Sequence, residues 1–508
     1  MRPVLPLFLL ILLAACGGGG HTPAPPDTLV RVMDAEVRSL DPQKVSDLAS
    51  LRVAADQFEG LTRHEAGGGI EPGLATGWSQ SADGLEWRFT LRKGLRFSDG
   101  RPIEAASFAR GFERLRADAT GSPHRALFGT VAAVAARAPD QVVVTLHSPF
   151  PALPELMAHP AMAALPLHRG EGWATERPLV TSGAYRLVAW RLNDRLVLER
   201  NPRWHDGAAP IGHLVGRAVD DRQAAFRLFR AHAPDTLPDL PLNRLDWLKR
   251  NRAGTVRIAP YLGSYYFVFN TRRAPFDDAR VRRALSMTVE RERIAGPLLG
   301  FDAPPAWGVV PPELTGTGSG YRPAWAAWPQ AKRVAAARTL LAAAGYGPGR
   351  PLRFEIRFNS DIDHRRVALA MIDGWHDLPV KARLLNTEAS LHFASLRRGD
   401  FDLARSGWIG DLQAPENFLA IHRGNAGPAN YSGYASPAFD AALDAGLEQA
   451  DPEARAVAMR HAEAILMADT PILPIHYYVS RNLVAERVEG WRDNVANIHP
   501  TRTLRLKR

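Results

Sequence analysis

The sequence predicts an α/β protein of two or three domains, in which mixed sheets are flanked by helices. Strand-like and helix-like segments alternate along the chain, and this order builds layered sheets of that kind. The chain has 508 residues, which is too many for one ordinary hydrophobic core. Hydrophobic residues make up 46% of the sequence and charged residues 23%, which is the balance of a folded protein rather than a disordered one.

Alternation of apolar and polar side chains predicts strands in the first half of the chain. Residues 86–91 are the clearest case, because Trp87, Phe89 and Leu91 share one face. A helix is predicted over residues 102–116, which begin with a proline after a turn. The other predicted elements of this half are strands over 28–34 and 141–146 and a hairpin over 185–200 that turns at 193–194.

The second half of the chain also alternates strands with helices. Residues 262–270 form a strongly aromatic predicted strand. Asp277 or Asp278 is predicted to cap a helix that runs to about Arg293. Further predicted elements are a helix over 330–344 that stops at a glycine, a strand over 352–358 and a mostly helical region over 439–467.

The net charge of +10 raises the question of a nucleic-acid partner, because clustered lysines and arginines attract phosphate backbones. The basic residues are dispersed, however, and stand beside acids, as in residues 277–283. The sequence has no basic tail and no nucleic-acid-binding motif. We therefore expect a solvated basic surface and no nucleic-acid partner.

The N-terminus has the layout of a secretory signal. Arg2 supplies a positive charge, and residues 4–13 form an apolar run that is too short to span a bilayer. Residues 13–16 read LAAC, and Cys16 is the only cysteine of the chain. This segment resembles the lipobox of bacterial lipoproteins, which implies that residues 1–15 are a signal peptide and that Cys16 is lipidated.

This lipoprotein signal implies a place in the periplasm or cell envelope, with the lipidated Cys16 as the membrane anchor. Residues 16–27 are rich in glycine and proline and are predicted to form a flexible tether. No cysteine follows Cys16, so an internal disulfide and a cysteine-based metal site are excluded.

Motifs of known catalytic chemistry are missing from the sequence. It has no G-x-S-x-G nucleophile elbow, no H-E-x-x-H pair and no Walker loop. Residues 67–69 are three glycines in a Pro/Gly-rich loop and are predicted to form a turn. The 16 histidines are dispersed, and none pairs with another at helical spacing beside an acid. We predict a protein that is not an enzyme and that holds no cofactor or metal.

Several short motifs follow one another in order along almost the whole chain. They are 39–42 (SLDP), 58–61 (FEGL), 77–79 (GWS), 92–94 (RKG), 97–100 (FSDG), 181–185 (TSGAY), 198–202 (LERNP) and 275–282 (PFDDARVR). Together they resemble the bacterial extracellular solute-binding proteins of family 5, which serve peptide importers. Within that family, residues 260–266 (PYLGSYY) and 401–411 (FDLARSGWIGD) are similar to the oligopeptide-binding members.

That resemblance implies a periplasmic-binding-protein-like clamshell of three domains, in which two lobes joined by two crossing strands close over an extended peptide. The implied divisions are domain I over 28–58, 184–262 and 479–508, domain II over 59–183, and domain III over 263–478. The implied partners are short peptides and the membrane permease subunits of an ABC transporter, with the chain itself a monomer.

The resemblance also implies which charged groups hold the ends of a peptide. Asp411 matches the aspartate that holds the α-ammonium, and Arg405 and His364 match positions that receive the carboxylate. The alternatives are a helix N-cap for Asp411, a surface cation for Arg405 and a solvated helix start for His364. The ligand-binding residues assigned in this way are Leu48, Tyr261, Tyr266, His364, Arg405, Gly407, Trp408, Ile409 and Asp411.

Backbone pairing is the second part of the implied site. Gly407 to Ile409 on one lobe, and residues near Leu48 on the other, are expected to bond the ligand backbone, so that affinity depends little on ligand side chains. Trp408 and Tyr266 match aromatic positions that line the cleft, although aromatic residues of this kind more often belong to a core.

The sequence departs from the family at four positions. Leu299 stands where the family has a cleft lysine, which removes one partner for a carboxylate. His124 replaces a tyrosine, Ile409 replaces a cysteine, and Leu396 replaces an arginine that serves longer peptides, although residues 397–398 are arginines. The match is therefore stronger at the ammonium end of the ligand than at the carboxylate end.

Other functions of the same scaffold stay open at this point. It could bind a murein peptide, a dipeptide, haem or a nickel chelate, and the presence of Asp411 and Trp408 favours a peptide over the last two. A periplasmic chaperone-like or hydrolytic protein is an alternative of a different class. A binding protein returns its ligand intact, and a hydrolase does not.

Overall fold

Residues 25–300 and 303–507 are described by a computed structural model. The predicted signal peptide over 1–15, Cys16 and most of the predicted tether lie outside the described residues.

The chain folds into strands joined by helices and turns. The strands are β1 (Thr28–Met33), β2 (Thr62–His64), β3 (Ile70–Pro72), β4 (Ala75–Gln80), β5 (Glu86–Leu91), β6 (Val131–Ala138), β7 (Gln141–Leu146), β8 (Tyr185–Arg191), β9 (Arg195–Arg200), β10 (His213–Ala218), β11 (Thr236–Leu237), β12 (Val256–Phe269), β13 (Leu352–Asn359), β14 (Val380–Thr387), β15 (Leu403–Ile409), β16 (Ile472–Val484), β17 (Val488–Glu489) and β18 (Arg505–Leu506).

The α-helices lie between these strands. They are α1 (Leu48–Gln57), α2 (Ala105–Arg116), α3 (Leu153–Leu156), α4 (Arg222–Arg230), α5 (Leu245–Asn251), α6 (Ala279–Thr288), α7 (Arg291–Arg293), α8 (Gln330–Ala343), α9 (Ile362–Gly374), α10 (Ala389–Arg398), α11 (Glu416–Leu419), α12 (Pro437–Leu447) and α13 (Pro452–Asp469). The predicted α/β class, with mixed sheets flanked by helices, is confirmed.

Ten of the strands form one large mixed sheet, in the order β14-β13-β15-β12-β16-β11-β1-β10-β9-β8. β1 runs parallel to β10, whereas β12 is antiparallel to both of its neighbours, β15 and β16. β12 and β16 have 14 and 13 residues and lie at the middle of the sheet. The boundaries of the three implied domains stay a prediction.

A second, four-stranded sheet has the order β4-β5-β7-β6 and is antiparallel throughout. Trp87, Phe89 and Leu91 of β5 are buried in its core together with side chains of α2, as their alternation predicts. The sheet therefore has its own hydrophobic core, separate from the clusters on the large sheet.

Two predicted helices differ from the structure at their ends. α2 begins at Ala105 because Pro102 is extended and pairs with Arg96. α6 ends at Thr288, not near Arg293, because the chain turns at Val289. The guanidinium of Arg291 then folds back and donates to the backbone oxygens of Ser286 and Val289.

Tertiary pairing extends one strand and divides one helix. The aromatic strand predicted over 262–270 begins at Val256 instead, because residues 256–260 pair with β16 across a register shift. The helical region predicted over 439–467 is two helices, α12 and α13. Within the described part of the chain, every helix is too short or too polar to cross a membrane.

Candidate ligand-binding cleft

A cavity of about 370 Å³ opens where α1, α9 and the strands β12, β15 and β16 come together. Five of the nine residues assigned from sequence line its wall. They are Leu48, Tyr261, His364, Arg405 and Ile409. The large sheet supplies most of this wall, so the cavity is held by the most extensively paired part of the fold.

Neighbouring tyrosines on β12 take opposite sides of the sheet. Tyr265 lines the cavity, and its ring stacks on that of His476 with 4.8 Å between the centroids. Tyr266 is only 3% exposed and packs in a cluster that also includes Trp408. Since side chains alternate along a strand, Tyr265 lines the cavity wall and Tyr266, which was assigned from sequence, does not. The Trp408 indole donates to Asn417 Oδ1 at 3.1 Å on that same side.

One edge of β15 is open beside the cavity. β15 pairs with β12 along its whole length, but with β13 only at Leu403 and Ala404. In the part of the chain that the structure describes, no strand covers the other edge of residues 405–409.

The direction of the backbone groups on β15 follows from its pairing with β12. Gly410 N–H donates to Leu262 O, so the even-numbered residues of β15 direct their groups toward β12. Gly407 and Ile409 are odd-numbered, and their N–H and C=O groups therefore point to the open edge. An extended chain that lies along this edge would find unpaired donors and acceptors there.

Two glycines make room for the ring of Tyr478 against this part of the sheet. A Cβ atom at Gly263 would lie 2.5 Å from Tyr478 Cδ2, and one at Gly407 would lie 2.9 Å from Tyr478 Oη. The Gly407 position is also 3.0 Å from the backbone oxygen of Ser264. A side chain at either glycine would displace Tyr478 from the cavity wall.

Arg405 provides a positive charge at the cavity without a carboxylate to neutralise it. Its Nη2 donates to Tyr478 Oη at 2.7 Å, and its Cζ lies 4.8 Å from the centre of the Tyr265 ring. Among the described residues, no carboxylate oxygen lies within 4 Å of this guanidinium. The Tyr hydroxyl and ring hold the group in place while its charge stays available for an anion.

His364 is held neutral in the first turn of α9. Its Nδ1 shares a hydrogen bond with Tyr265 Oη at 3.1 Å. Burial, together with the nearby charge of Arg405, lowers the pKa of His364 to about 3. At neutral pH this side chain therefore offers a hydrogen bond to a ligand rather than a second positive charge. Leu299, also on the wall, is 4% exposed and adds only apolar surface.

Asp411 lies just beyond the end of β15 and outside the lining of this cavity. Its backbone N–H donates to Asn417 Oδ1 at 3.0 Å, the same oxygen that accepts from Trp408. The side chain is exposed, yet the protein around it removes enough water to raise the pKa of its carboxyl to about 6. It caps no helix, because Pro415 occupies the N-cap position of α11. No basic group of the described chain lies within 4 Å of it.

A network of charges on the cavity wall escaped sequence reasoning. Arg222 Nε lies 2.6 Å from Asp239 Oδ2, and Arg222 Nη1 lies 3.5 Å from Asp361 Oδ2. Arg481 bonds the other oxygen of Asp239. No local motif marks these residues, because they come from four distant segments. Alternation along β16 could have identified Tyr478.

Two of the positions where the sequence departs from the family lie away from the cavity. His124 is buried, and its Nε2 lies 2.7 Å from Val45 O. Its ring centre lies 4.5 Å from that of His159. Leu396 is fully buried in a hydrophobic cluster. Across residues 25–300 and 303–507, no group of three His, Cys, Asp or Glu side chains is arranged to hold a metal ion.

Comparison with family models decides the membership of the chain. Residues 69–430 match the model of the bacterial extracellular solute-binding proteins, family 5. The chain belongs to this family. The fold and the family implied by the sequence motifs are thereby confirmed.

Individual relatives extend the match to nearly the full length. The periplasmic oligopeptide-binding protein OppA of Salmonella typhimurium is 33% identical over 498 residues, which cover 93% of this chain and 91% of that protein. The periplasmic murein peptide-binding protein MppA of Escherichia coli is also 33% identical, with 92% and 90% covered. A crystal structure of Haemophilus influenzae OppA in complex with RPPGFSPFR is 29% identical and superimposes with a TM-score of 0.83, covering 94% of this chain and 99% of that one.

Proposed function

We propose that this protein is the extracytoplasmic binding component of an ABC importer, that it captures short peptides in the cleft, and that it passes them to the membrane permease. Membership of the solute-binding family and the name of the OppA relative support the class of ligand. The observation that carries the proposal for this chain is the open edge of β15, whose free backbone groups at Gly407 and Ile409 lie beside the positive charge of Arg405.

Strand addition explains how such a cleft accepts many sequences. A peptide that lies along residues 405–409 bonds through its own backbone, which every peptide shares. Leu48 lies across the cavity at the start of α1 and is 41% exposed, so this end of the helix is available to a ligand. Side chains of the ligand then enter the cavity without contributing the main affinity.

The charged ends of the peptide provide orientation. The α-ammonium binds Asp411, whose carboxylate has no basic neighbour within 4 Å among the described residues, and each group then neutralises the other. The carboxylate binds Arg405, with a hydrogen bond from neutral His364. Because Leu299 supplies no cation, we expect the carboxylate end to contribute less affinity than the ammonium end.

The membrane and permease contacts belong to the same proposal. A lipidated Cys16 would anchor the protein at the cell envelope as a monomer, and the tether would let the folded body reach the permease. The importer, rather than this chain, would hydrolyse ATP, and we propose no catalytic role for any residue described above. A murein peptide is the second candidate ligand, which the identity to MppA supports.

Calorimetric titration with an unmodified tripeptide, its N-acetylated form and its C-amidated form tests the proposal. We expect micromolar or tighter binding of the free tripeptide and no binding of the acetylated form, because acetylation removes the charge that Asp411 recognises. The amidated form should bind more weakly than the free peptide. Failure of free peptides of several lengths to bind would contradict the peptide assignment, and recovery of cleaved peptide would contradict the role as a binding protein.

A further inference from the structure

A second, smaller cavity of about 130 Å³ lies beside the cleft. Arg52, Pro238 and Asn497 line both cavities. Helix α1 runs from one to the other, because Leu48 lines the cleft, Arg52 lines both and Asp56 lines the smaller cavity. These three residues are spaced by four and lie on one helix face, about 6 Å apart along the axis. A group on a ligand in the cleft would therefore reach the smaller cavity by passing Arg52.

The smaller cavity carries a net positive charge on its wall. The charged residues that line it are Arg31, Arg52, Arg63, Arg502, Asp56 and Glu59. Arg31 pairs with Asp56 at 3.5 Å and Arg63 with Glu59 at 3.2 Å, so the two acids of the wall are already occupied. Arg502 bonds Glu71 at 2.9 Å, which lies outside the lining.

Arg52 is the lining arginine with the weakest partner. Its Nη1 lies 3.8 Å from Asp34 Oδ1, and both side chains are about one-third or more exposed, so this contact contributes little. The charge of Arg52 is thus free to meet an anion at the entrance from the cleft.

Two buried polar atoms on the wall of the smaller cavity lack hydrogen-bond partners within the described structure. Thr236 Oγ1 and Arg502 Nη1 are buried and have no hydrogen-bond partner within the described structure, and both residues line the smaller cavity. Thr236 is 3% exposed. Since a buried donor without an acceptor is costly, these groups favour an occupant that brings acceptor oxygens.

The smaller cavity opens at the end of the cleft where Asp411 lies. Gly263 pairs with Ile409, and Gly410 N–H donates to Leu262 O, so the backbone that leads into Asp411 lies beside the backbone at Tyr261. Tyr261 and Arg52 both line the cleft, so this end of β12 is the part of the cleft wall that lies nearest to Asp411 in the sheet. If Asp411 holds the α-ammonium, the first side chain of the peptide lies next to Arg52.

We propose that the smaller cavity is a subsite for an acidic side chain on the amino-terminal residue of the bound peptide, with Arg52 as the cation that pairs with it. The inference rests on the proposed peptide function and adds a preference among peptides. A cavity of about 130 Å³ has room for several water molecules, and therefore for the carboxylate end of a glutamate side chain.

Three tripeptides that differ only at the first residue test the subsite: Glu-Ala-Ala, Gln-Ala-Ala and Lys-Ala-Ala. Calorimetry on the full mature chain should give about tenfold tighter binding for the Glu peptide than for the Gln peptide, and the weakest binding for Lys. In Arg52→Gln the ratio between Glu and Gln should fall to about twofold or less. Arg88→Gln removes one positive charge from the solvent-facing side of β5 in the small sheet and should keep the full ratio.

Asn497→Asp provides an independent variant at the shared wall. Asn497 Oδ1 accepts from Asn482 Nδ2 at 2.9 Å and lies 3.1 Å from His499 Nε2, and an aspartate oxygen can accept in the same place. The added negative charge should lower the preference for Glu and raise binding of the Lys peptide. Equal binding of the Glu and Gln peptides to the unsubstituted protein would overturn the subsite and leave peptide binding intact. Failure of all three peptides to bind would overturn both proposals.

Discussion

Gln413 donates two hydrogen bonds to the carboxylate of Glu155, one from its backbone N–H at 2.9 Å and one from its side-chain amide at 3.2 Å. Leu412 and Ala414, on either side, are buried in the hydrophobic cluster of the small sheet. The segment that directly follows Asp411 is therefore docked on the core of the small sheet. The residue proposed to bind the ligand's ammonium thus lies two positions before a contact that joins β15 of the large sheet to the small sheet.

Gln413→Ala should weaken peptide binding, although Gln413 is not among the residues proposed to contact the ligand. The change removes one of the two donors to a buried carboxylate, which costs on the order of 1–3 kcal/mol in the closed form and leaves an open form unaffected. Because we expect the liganded form to keep this contact and an open form to lose it, apparent affinity should fall by about tenfold, measured by calorimetry. Gln449→Ala is a matched control, because that side chain lies just after α12 and bonds only Ala445 O of that helix. Equal losses in both variants would contradict this prediction.

Asp411→Asn should have opposite effects on ligand binding and on stability. Binding of a free tripeptide should weaken by about 2–5 kcal/mol, because the ammonium loses its charged partner. The unliganded protein should melt at a higher temperature, since the substitution removes a carboxylate that desolvation disfavours. Calorimetry and thermal unfolding check the two effects. Asp194→Asn at the tip of the β8–β9 hairpin should change neither, and a loss of both binding and stability in Asp411→Asn would indicate a structural role instead.

Arg405→Gln should remove the preference for a free peptide carboxylate. The unsubstituted protein should bind the free tripeptide more tightly than its amide, by about tenfold or more. In the variant the two should bind within about twofold of each other. Arg383→Gln, which removes an 81% exposed arginine, controls for the change in net charge. A variant that still distinguishes the two peptides would assign the carboxylate to another residue.

Gly407→Ala should lower the free energy of unfolding and weaken peptide binding, although it adds only a single methyl group. The new Cβ would lie 2.9 Å from Tyr478 Oη and 3.0 Å from the Ser264 backbone oxygen, and the second atom cannot move aside. We expect a loss of about 1–3 kcal/mol in the free energy of unfolding and weaker peptide binding. Gly77→Ala on β4 is the matched control, because its Cβ would meet nothing within 4 Å. Urea unfolding of both variants compares them, and equal stabilities would contradict the packing argument.

Acidification should destabilise the folded protein between about pH 6.5 and pH 4. Burial lowers the pKa of six histidines to about 3 or 4, so the unfolded chain binds protons that the folded one excludes. They are His64, His364, His392, His422, His476 and His499. Burial raises the pKa of Asp411 to about 6 and of Glu463 to about 7, which has the opposite sign but involves fewer groups. Urea unfolding at several pH values in this range measures the slope, and a stability that is constant or rises on acidification would contradict the prediction.

Local pattern predicted the elements, and ordered motifs predicted the architecture. The alternation in β5 and the hairpin of β8 and β9 are readable from a few residues each. The ends of α2 and α6 were not, because Pro102 pairs with Arg96 and the Arg291 side chain bonds the backbone at the end of α6, and neither contact follows from helix propensity. Propensity carries no information about such partners.

Some residues of the candidate site could likewise be predicted from sequence, and others could not. The resemblance over 401–411 predicted that Arg405 and Ile409 lie at the cleft, and both line the cavity, because both lie on one strand, which fixes their spacing. The family resemblance also assigned Tyr266 to the cleft, whereas Tyr265 lines it in the structure, because a motif match does not state which face of a strand meets the cleft. Arg222, Asp239 and Asp361 come from separate segments, and only the folded chain brings them together.

The pairing of the large sheet constrains the order in which the protein can be made. β1, near the start of the described chain, pairs with β10 and with β11, and β11 in turn pairs with β16 close to the C-terminus. The first strand therefore has no partner until more than one-third of the chain has been synthesised, and the middle of the sheet stays incomplete until residue 484 is available. The small sheet has all of its strands by residue 146, so synthesis leaves the large sheet, and the cleft built on it, as the last part of the fold to form.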